Sequence, residues 1–498
     1  MAGTAVGRKG SNSARANAPE VRLAEPRILQ PGRNCWCAAH ADRLSFIVDT
    51  ADYFASVATA IMAARHSVTI IAWDFDSRVQ LLRNGPTLRE LLVEALERTP
   101  GLQVRVLVWD AAPFYGPGGT WSLLKDVLVT PHARLQVKLD PVHPAGSCHH
   151  QKLVVVDGSL AFVGGVDLTM ARWDVPGHAL PPEQRIDACG PYPPFHDLVA
   201  AVQGEAARVV ERMALDRWAT ATGEILAPAP GGGPCWPDHL PVELERIRVA
   251  FARTLPRRNR RNVREIERAL LDMLASARQW VFMETQYFTS EALANVLGDL
   301  LSRPVPPEIL VLASKRNEGW VEQHAMRRRR EQLMAELIPY DREQRLRVLG
   351  PIVNNEPLNL HSKLMIVDGR LLKLGSANLN NRSMGADSEF DLLVEAEDWR
   401  TEQVITALRD RLLGEHMGIE AKAMAERIAC VGLLAAAQGA TYGGHRLEAL
   451  PISERNETIE TLAAAAADPA EPIDPRWFDP PTTPAERDAS TAPRTTGP

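Results

Sequence analysis

Residues 149–168 read HHQKLVVVDGSLAFVGGVDL, and residues 361–380 read HSKLMIVDGRLLKLGSANLN. Each stretch contains a histidine, one intervening residue and a lysine, followed by four apolar residues and an Asp-Gly pair. The match extends further, because a glycine follows each histidine by 14 residues, at Gly164 and Gly375. Since His150 and His361 are 211 residues apart with the same local spacing, we interpret the chain as a duplicated domain whose two copies fold face to face.

The sequence around each motif alternates between helical and strand patterns. In the first half, a helical pattern over 49–66 precedes short apolar runs, such as 68–73, that are typical of buried strands. In the second half, a helical pattern over 263–277 precedes similar runs, the first at 281–283. We therefore predict an α/β fold of two similar lobes, each a mixed β-sheet flanked by helices, related by a pseudo-twofold duplication.

Composition suggests where the lobes begin and end. Residues 227–241, APAPGGGPCWPDHLP, are too rich in proline and glycine for a helix or strand, so we interpret them as a linker. The predicted order is a flexible leader (1–22), an N-terminal lobe (23–226), the linker, a C-terminal lobe (242–425), a helical extension (426–462) and a disordered tail (463–498).

The overall composition limits the class of protein. The chain has 498 residues, of which 45% are hydrophobic, and a formal net charge of -6. Such a chain has no general basic surface for a nucleic acid, so an anionic substrate must bind at a local positive site. Six cysteines are too few for a disulfide framework at this length, and we interpret them as reduced packing thiols. We predict neither a metal nor a cofactor.

No segment has the pattern of a secretory signal or a membrane span. The first 20 residues lack an apolar run, and the longest apolar stretch, 428–440, is shorter than the ~20 residues that a bilayer requires. We predict a cytoplasmic or peripheral membrane protein, with export by a route that needs no such signal as the alternative.

The motif residues have side chains suited to phosphate chemistry. Because side chains alternate along a strand, His150 and Lys152 share one face, whereas Asp157 leaves on the other. The same holds for His361, Lys363 and Asp368. We therefore predict that Asp157 and Asp368 are structural.

Bringing the two halves together would create a pocket with two imidazoles, two ammonium groups and almost no negative charge. Ser376 and Asn378 share a face at the end of the next strand, where we predict an oxyanion cradle. A lysine can hold non-bridging phosphate oxygens, and an imidazole can attack phosphorus or protonate a leaving oxygen. A single histidine would more simply be a structural residue, but the duplication favours a phosphodiester site.

The paired His-x-Lys-x₄-Asp pattern resembles that of the phospholipase D superfamily. Flanking segments resemble its eukaryotic-type branch, which also has bacterial members: ARWD at 171–174, PFHD at 194–197, ETQYF at 284–288 and NRSMGADSE at 381–389. The resemblance extends over about 44–418, and no PX or PH lipid-binding region is recognisable before it.

The resemblance implies a metal-independent phosphatidyl transfer in two steps through a phosphohistidine. It implies that His150 is the nucleophile and that His361 is the general acid and then the general base. It also implies that Lys152, Lys363 and the cradle residues bind the phosphate oxygens. The order of the two histidines follows from the family pattern alone, because the motifs are symmetric.

Each catalytic imidazole needs a carboxylate that fixes its tautomer. We predict that Glu389 orients His150 and that Asp197 orients His361, each across the lobes; an ordinary exposed strand residue is the alternative for Glu389. The first motif has Gly165 and Asp167 where the second has Ser376 and Asn378. Gly165 is predicted to bind phosphate, whereas an ionised Asp167 would repel it and is expected to pair with Lys152 or Lys363.

Two arginine clusters, at 257–261 and 327–330, could contact anionic lipid, although nearby glutamates favour a solvated surface. Trp320 could line a lipid entrance or belong to the core. The loops 113–119 and 354–360 are candidates for head-group selection.

The predicted function is hydrolysis of glycerophospholipids such as phosphatidylcholine to phosphatidic acid and a free head group, with possible transphosphatidylation. The alternatives are a cardiolipin-synthase-like phosphatidyltransferase and a catalytically silent lipid-binding scaffold; a nucleic-acid phosphodiesterase is less compatible with the acidic chain. The expected partners are a phospholipid substrate and, transiently, a membrane surface, with no nucleic acid. Because one chain supplies both halves of the site, we predict a monomer.

Overall fold

The computed structural model describes residues 27–112, 125–126, 129, 132–232, 236–257, 261–315, 320–452 and 467–472, with the backbone alone for 320–324. The predicted leader therefore lies outside the described residues, as do most of the tail, the loop 113–119, the centre of the arginine cluster at 257–261 and the side chain of Trp320.

The first half of the chain alternates between strands and helices. Its elements are β1 (Cys37–Val48), α1 (Thr50–Ala63), β2 (Ser67–Ala72), α2 (Leu88–Arg98), β3 (Gln103–Trp109), β4 (Leu135–Asp140), β5 (Leu153–Val156), β6 (Leu160–Gly164), β7 (Ile186–Asp187), β8 (Gly190–Pro191), β9 (Phe195–His196), β10 (Leu198–Gln203) and α3 (Glu205–Thr222). Two 3₁₀ turns, Pro176–His178 and Pro182–Gln184, lie between β6 and β7.

The second half repeats this order. Its elements are β11 (Leu244–Leu255), β12 (Val263–Arg264), α4 (Glu265–Ala275), β13 (Trp280–Thr285), α5 (Glu291–Leu301), β14 (Glu308–Ala313), α6 (Trp320–Leu337), β15 (Leu346–Val353), β16 (Glu356–Pro357), β17 (Asn359–Leu360), β18 (Leu364–Val367), β19 (Leu371–Gly375), β20 (Glu389–Glu395), α7 (Trp399–Met417), α8 (Ala421–Val431), α9 (Leu433–Ala437) and β21 (His445–Ala449). A π-helical turn, Arg382–Ala386, precedes β20.

Seventeen of the described strands, from both lobes, form one continuous mixed sheet, whereas β7 pairs with β8 and β9 pairs with β17 in two small separate sheets. The pairings run β4-β3-β2-β5-β6-β10-β1 in the first lobe and β11-β20-β19-β18-β13-β14-β15 in the second. Antiparallel pairing of β1 with β11 joins the two, with Leu44 opposite Leu244 and Cys37 opposite Phe251. The duplication is therefore centred on this strand pair.

Burial on both faces explains the apolar runs of the central strands. Every residue of β5, β6, β18 and β19 is buried, as expected for strands covered by helices on both sides. Local signals set the helix ends, for example the reciprocal cap between Thr87 and Glu90 at the start of α2. Helices α3 and α7 both end at a glycine with positive φ, Gly223 and Gly418.

The predicted α/β class is confirmed, and the strands next to the motifs lie where the apolar runs indicated. The sequence interpretation did not identify β1 and β11, whose mixed composition (CAAHADRLSFIV and LERIRVAFARTL) conceals their role in joining the lobes. Instead of two separate sheets, the lobes share one sheet through these strands.

Two predictions about the C-terminal region need correction. The extension at 426–462 is not purely helical, because β21 adds to the sheet edge alongside β15. Part of the segment expected to be disordered is packed: Asp468 is 3% exposed and accepts hydrogen bonds from Thr289 and from the backbone of Asn381 and Arg382. The Asp468 carboxylate thus accepts the backbone N–H groups at the start of the π-helical turn. Composition could not indicate such a long-range contact.

Asp157 and Asp368 occupy equivalent positions in the two lobes. Asp157 accepts hydrogen bonds from the backbone N–H groups of Arg65, His66 and Ser67 at 2.7–2.8 Å, where the chain enters β2. Asp368 does the same for residues 278–280 at 2.7–2.9 Å, where the chain enters β13. Each motif aspartate thus connects the turn after its own strand to the start of a neighbouring strand.

Replacement of Asp157 by alanine should destabilise the protein, because three backbone donors lose a charged acceptor. We expect a loss of about 3–5 kcal/mol in unfolding free energy, seen as a lower thermal midpoint by calorimetry. Asp157→Asn should have a smaller effect, and Asp299→Ala, at an exposed position of α5, should change stability by less than about 0.5 kcal/mol. Equal midpoints for Asp157→Ala and Asp299→Ala would contradict the structural role.

Candidate active site

Backbone pairing across the lobes positions the two motif histidines. The N–H of His150 donates to the carbonyl of Ser388 at 3.0 Å, and the N–H of Ser388 donates to Cys148 at 3.0 Å. On the other side, the N–H of His361 donates to His196 at 2.8 Å, within the short parallel pairing of β17 with β9. Each histidine is thereby paired with the residue that precedes an acidic residue of the other lobe.

The result is two histidine–carboxylate pairs, each formed across the lobes. His150 Nδ1 lies 3.0 Å from Glu389 Oε2, and His361 Nδ1 lies 2.7 Å from Asp197 Oδ2. Both carboxylates are fully buried, whereas the imidazoles are 15% and 10% exposed. Because Nδ1 of each ring faces its carboxylate, Nε2 is the nitrogen left for chemistry in each ring.

The two motif lysines lie beside the imidazoles in different ways. Lys152 Nζ donates to the carbonyl of His150 at 3.1 Å and lies 3.4 Å from Asp167. Lys363 is fully buried, donates to the carbonyl of His361, and has Nζ 3.2 Å from His361 Nδ1. Lys152 therefore lines the cavity, whereas Lys363 lies behind His361.

Ser376 and Asn378 do not both face the cavity, as the predicted oxyanion cradle would require. The Ser376 hydroxyl donates to Glu389 at 2.5 Å and accepts from the backbone of Phe390, so it supports the carboxylate of the first pair. Asn378 lines the cavity, and its buried Oδ1 has no hydrogen-bond partner among the described residues. Of the two, only Asn378 faces the space where a ligand would bind.

Gly165 allows close packing of side chains rather than of a ligand. A Cβ at this position would lie 2.5 Å from Asp197 Oδ1 and 2.9 Å from Lys363 Cδ. Gly165 therefore makes room for the second histidine–carboxylate pair, and it does not line the cavity as a phosphate contact would.

Burial shifts the pKa of each of these ionisable groups in the direction that favours its uncharged form. It raises the pKa of Glu389 to about 8 and that of Asp197 to about 7. Burial, reinforced by the neighbouring lysines, lowers the pKa of His150 and His361 well below the ordinary value, and burial lowers the pKa of Lys363 to about 7. Both imidazoles are therefore held largely neutral beside carboxyl groups whose pKa lies near 7 or 8, and a bound phosphate anion would raise the histidine pKa values again.

The two imidazoles open into one cavity of about 750 Å³. Its wall includes several residues that the sequence interpretation did not single out, some of them inside the quoted ARWD, ETQYF and NRSMGADSE segments: Trp73, Trp109, Arg172, Tyr287, Met326, Asn380, Arg382 and Asp387. Trp73 and Trp109 stack with ring centroids 5.7 Å apart. These aromatic residues come from strand ends, a position that periodicity alone does not distinguish from the core.

The expectation of almost no negative charge needs correction. Asp167 and Asp387 both line the cavity. Asp167 pairs with Lys152, and its Oδ1 accepts the Trp73 backbone N–H at 2.9 Å; Asp387 pairs with Arg382 at 2.7 Å. The acidic groups are thus held by cations and backbone rather than left facing a phosphate.

Two further candidates from the sequence, the arginine cluster at 327–330 and the loop 354–360, do not line this cavity. In the cluster at 327–330, Arg330 is 3% exposed and donates to the carbonyl of Ser314, while Arg328 lies 3.7 Å from Glu331. The loop 354–360 pairs with β9 through Asn359 and Leu360, and none of its residues lines the cavity wall.

Comparison with family models supports the same two-part organisation. Residues 136–262 match the model described as Phospholipase D, and residues 270–412 match the model described as Cardiolipin synthase, PLD-like domain. Each match contains one of the two motifs, and together the matches span more than half of the chain.

Curated relatives are similar over most of this chain. Phospholipase D A from Dictyostelium discoideum is 26% identical over 75% of this chain and 35% of its own length. Phospholipase D alpha 1 from Carica papaya is 24% identical over 76% of this chain and 62% of its own length. This chain thus spans about a third to two thirds of the length of these relatives.

A solved structure has the same fold. The crystal structure of phosphatidylserine synthase from Haemophilus influenzae Rd KW20 superposes with a TM-score of 0.54 at 12% identity, covering 79% of this chain and 94% of that one. With the family models, the relatives and the duplicated motifs in agreement, the chain belongs to the phospholipase D superfamily.

Proposed function

We propose that this protein is a phospholipase D of the eukaryotic-type branch, which hydrolyses the distal phosphodiester of phospholipids such as phosphatidylcholine. The observation that carries the proposal is the pair of buried histidine–carboxylate contacts, formed across the lobes and opening into one cavity with Lys152. This arrangement supplies a nucleophile, a proton donor and a cation for the phosphate at one place.

In the first step, Nε2 of His150 attacks phosphorus and forms the P–N bond as the P–O bond to the head-group alcohol breaks. Glu389 holds Nδ1 and stabilises the positive charge that develops on the ring. His361 delivers a proton from Nε2 to the departing oxygen, so the alcohol leaves neutral. Lys152 and Asn378 are placed to hold non-bridging oxygens.

In the second step, His361 takes a proton from water while the water oxygen attacks phosphorus. The P–N bond breaks, His150 recovers its electron pair, and phosphatidic acid leaves. An alcohol in place of water gives a new phosphatidyl ester by the same exchange. Asp197 supports His361 in both directions, because its raised pKa of about 7 lets the pair accept and return a proton near neutrality.

The wall of the cavity favours a phospholipid with a quaternary ammonium head group. Trp73, Trp109 and Tyr287 present aromatic surface next to the reacting histidines, and aromatic faces attract such cations. No helix among the described residues is long and apolar enough to cross a bilayer. We propose that the protein acts as a monomer and contacts its lipid transiently at the membrane surface.

A phosphatidyltransferase is the second candidate, since the model matched by residues 270–412 is that of cardiolipin synthase. It would use the same phosphohistidine and differ only in the acceptor. A silent lipid-binding scaffold is less consistent with two intact histidine–carboxylate pairs.

The purified chain should convert phosphatidylcholine in mixed micelles to phosphatidic acid and choline, and should form phosphatidylethanol when ethanol is added. Lipid mass spectrometry measures both products. His361→Ala should lower the rate about 10³-fold or more, whereas His40→Ala, at an exposed histidine, should not change it. Conversion of phosphatidylglycerol to cardiolipin and glycerol, without action on phosphatidylcholine, would instead assign the transferase; no product from either lipid would support the scaffold.

The covalent intermediate should be found on His150. Denaturing quench during turnover, digestion at alkaline pH and peptide mass spectrometry should locate a phosphatidyl adduct on the peptide containing 150, because phosphohistidine is labile in acid. An adduct on the peptide containing 361 would reverse the two roles.

Glu389→Gln separates the positioning role of this carboxyl from a merely structural one. Turnover should fall about 10²–10⁴-fold, because glutamine cannot carry the negative charge that would stabilise the cationic ring of His150 as the P–N bond forms. The folded protein binds the Glu389 proton up to about pH 8, whereas the unfolded chain releases it near 4.5, so burial of Glu389 lowers stability progressively as pH rises between these values. Glutamine does not titrate.

The thermal midpoint of Glu389→Gln relative to wild type should therefore rise from pH 5 to pH 8 and level off above. Glu97→Gln, at an exposed position of α2, should show neither effect. Unchanged turnover together with a constant difference in midpoint would remove Glu389 from the mechanism.

A further inference from the structure

A second cluster of ionisable side chains lies behind His361, outside the cavity. It consists of Asp49 at the start of α1, His178 in the 3₁₀ turn, His196 in β9 and Glu415 in α7. One potential ligand atom from each residue lies within 4.8 Å of all the others. The side chains of His178 and His196 are fully buried, and that of Glu415 is 7% exposed.

Most of the atoms that face one another in this cluster have no hydrogen-bond partner among the described residues; the exception is Glu415 Oε1, which accepts the backbone N–H of Gly177 at 2.7 Å. His196 Nδ1 lies 2.8 Å from Asp49 Oδ1, and His178 Nε2 lies 3.6 Å from Glu415 Oε1. Yet within the described part of the chain neither ring nitrogen, nor either oxygen of Asp49, has a hydrogen-bond partner of acceptable geometry. A buried carboxylate without a well-aligned donor is costly, by ~1–3 kcal/mol or more, so a metal ion among these atoms would stabilise the cluster beyond the contact of Asp49 with His196.

The opposite nitrogen of each ring also contacts a carboxylate, so the facing nitrogens would present lone pairs to a metal ion when the rings are neutral. His196 Nε2 lies 3.2 Å from Glu284 Oε2, and His178 Nδ1 lies 3.2 Å from Asp174 Oδ2. A neutral imidazole that donates from one nitrogen to a carboxylate has a lone pair on the other. This carboxylate–histidine arrangement, here present twice, is the one that orients histidine ligands toward a metal ion.

We propose that Asp49, His178, His196 and Glu415 bind one divalent metal ion of the zinc type. Two imidazole nitrogens and two carboxylate oxygens form a donor set that Zn²⁺ accepts in tetrahedral geometry. Bond lengths of roughly 2.0–2.2 Å imply ligand atoms about 3.3 Å apart in a tetrahedron, so small side-chain adjustments would suffice. The sequence interpretation predicted no metal, because it considered only the cysteines.

Burial and position make this a structural site. Four protein ligands complete a tetrahedron, and with only Glu415 slightly exposed they leave no open position for water or substrate. The ion would join three elements of the first lobe to α7 of the second. It would also support the second catalytic pair, because His196 accepts the backbone N–H of His361 and Glu284 accepts the Ser362 hydroxyl at 2.7 Å.

The test measures metal content of the full chain without a histidine tag, after growth with zinc and exhaustive dialysis. Elemental mass spectrometry should find one equivalent of zinc per chain in the wild type, in His150→Ala and in His40→Ala. His178→Ala and Glu415→Gln should lose it. Removal by a strong chelator should lower the thermal midpoint of the wild type, and added zinc should restore it.

If those substitutions prevent folding, a variant at a residue that contacts a metal ligand without being one keeps the test valid. Asp174→Asn retains all four ligands but weakens the support of His178, so zinc affinity should fall about 10–100-fold in competition with a chromophoric chelator. Any one of three results would overturn the proposal and leave a proton-sharing network in its place. These are wild-type protein without bound metal, zinc lost in His150→Ala but kept in His178→Ala, and a thermal midpoint that a chelator does not change.

Discussion

The candidate active site depends on backbone hydrogen bonds that cross between the lobes. His150 pairs with Ser388 and His361 pairs with His196, so the next residue on each partner segment, Glu389 or Asp197, is brought to the imidazole of the other lobe. The long antiparallel contact of β1 with β11 holds the lobes in the register that makes these short pairings possible. Neither motif histidine contacts its carboxylate within its own lobe, which gives a physical reason for two copies in one chain.

Burial of this site has an electrostatic consequence. Glu389, Asp197 and Lys363 all have pKa values shifted toward neutrality by desolvation, and both histidines are held largely neutral. The protein thus maintains two carboxyl groups and one amine whose pKa values lie near 7 or 8, at a cost in stability. The acidic residues of the cavity are neutralised by Lys152 and Arg382, which leaves the pocket suited to a phosphate anion despite the net charge of the whole chain.

Much of the fold followed from the sequence, because apolar runs and duplicated motifs are local signals. The central strands and the α/β class were predicted, but β1 and β11 were not, since their half-buried, charge-containing sequences resemble loops. The strand β21 and the packed Asp468 were also missed, as both depend on partners far away in the chain. At the site, the contact of Glu389 with His150 lies where it was expected, whereas Ser376 faces Glu389 instead of a ligand.

The sequence by itself determined the residue types, the duplication and the parity that places histidine and lysine on one strand face and the motif aspartate on the other. Only the tertiary structure decided which groups face substrate and which stand behind them. It placed Lys363 in the interior, made Gly165 a space for Asp197, and gathered Asp49, His178, His196 and Glu415 from distant segments. Local sequence specifies the direction of a side chain along its own strand, but its partners depend on how strands from two lobes align across an interface.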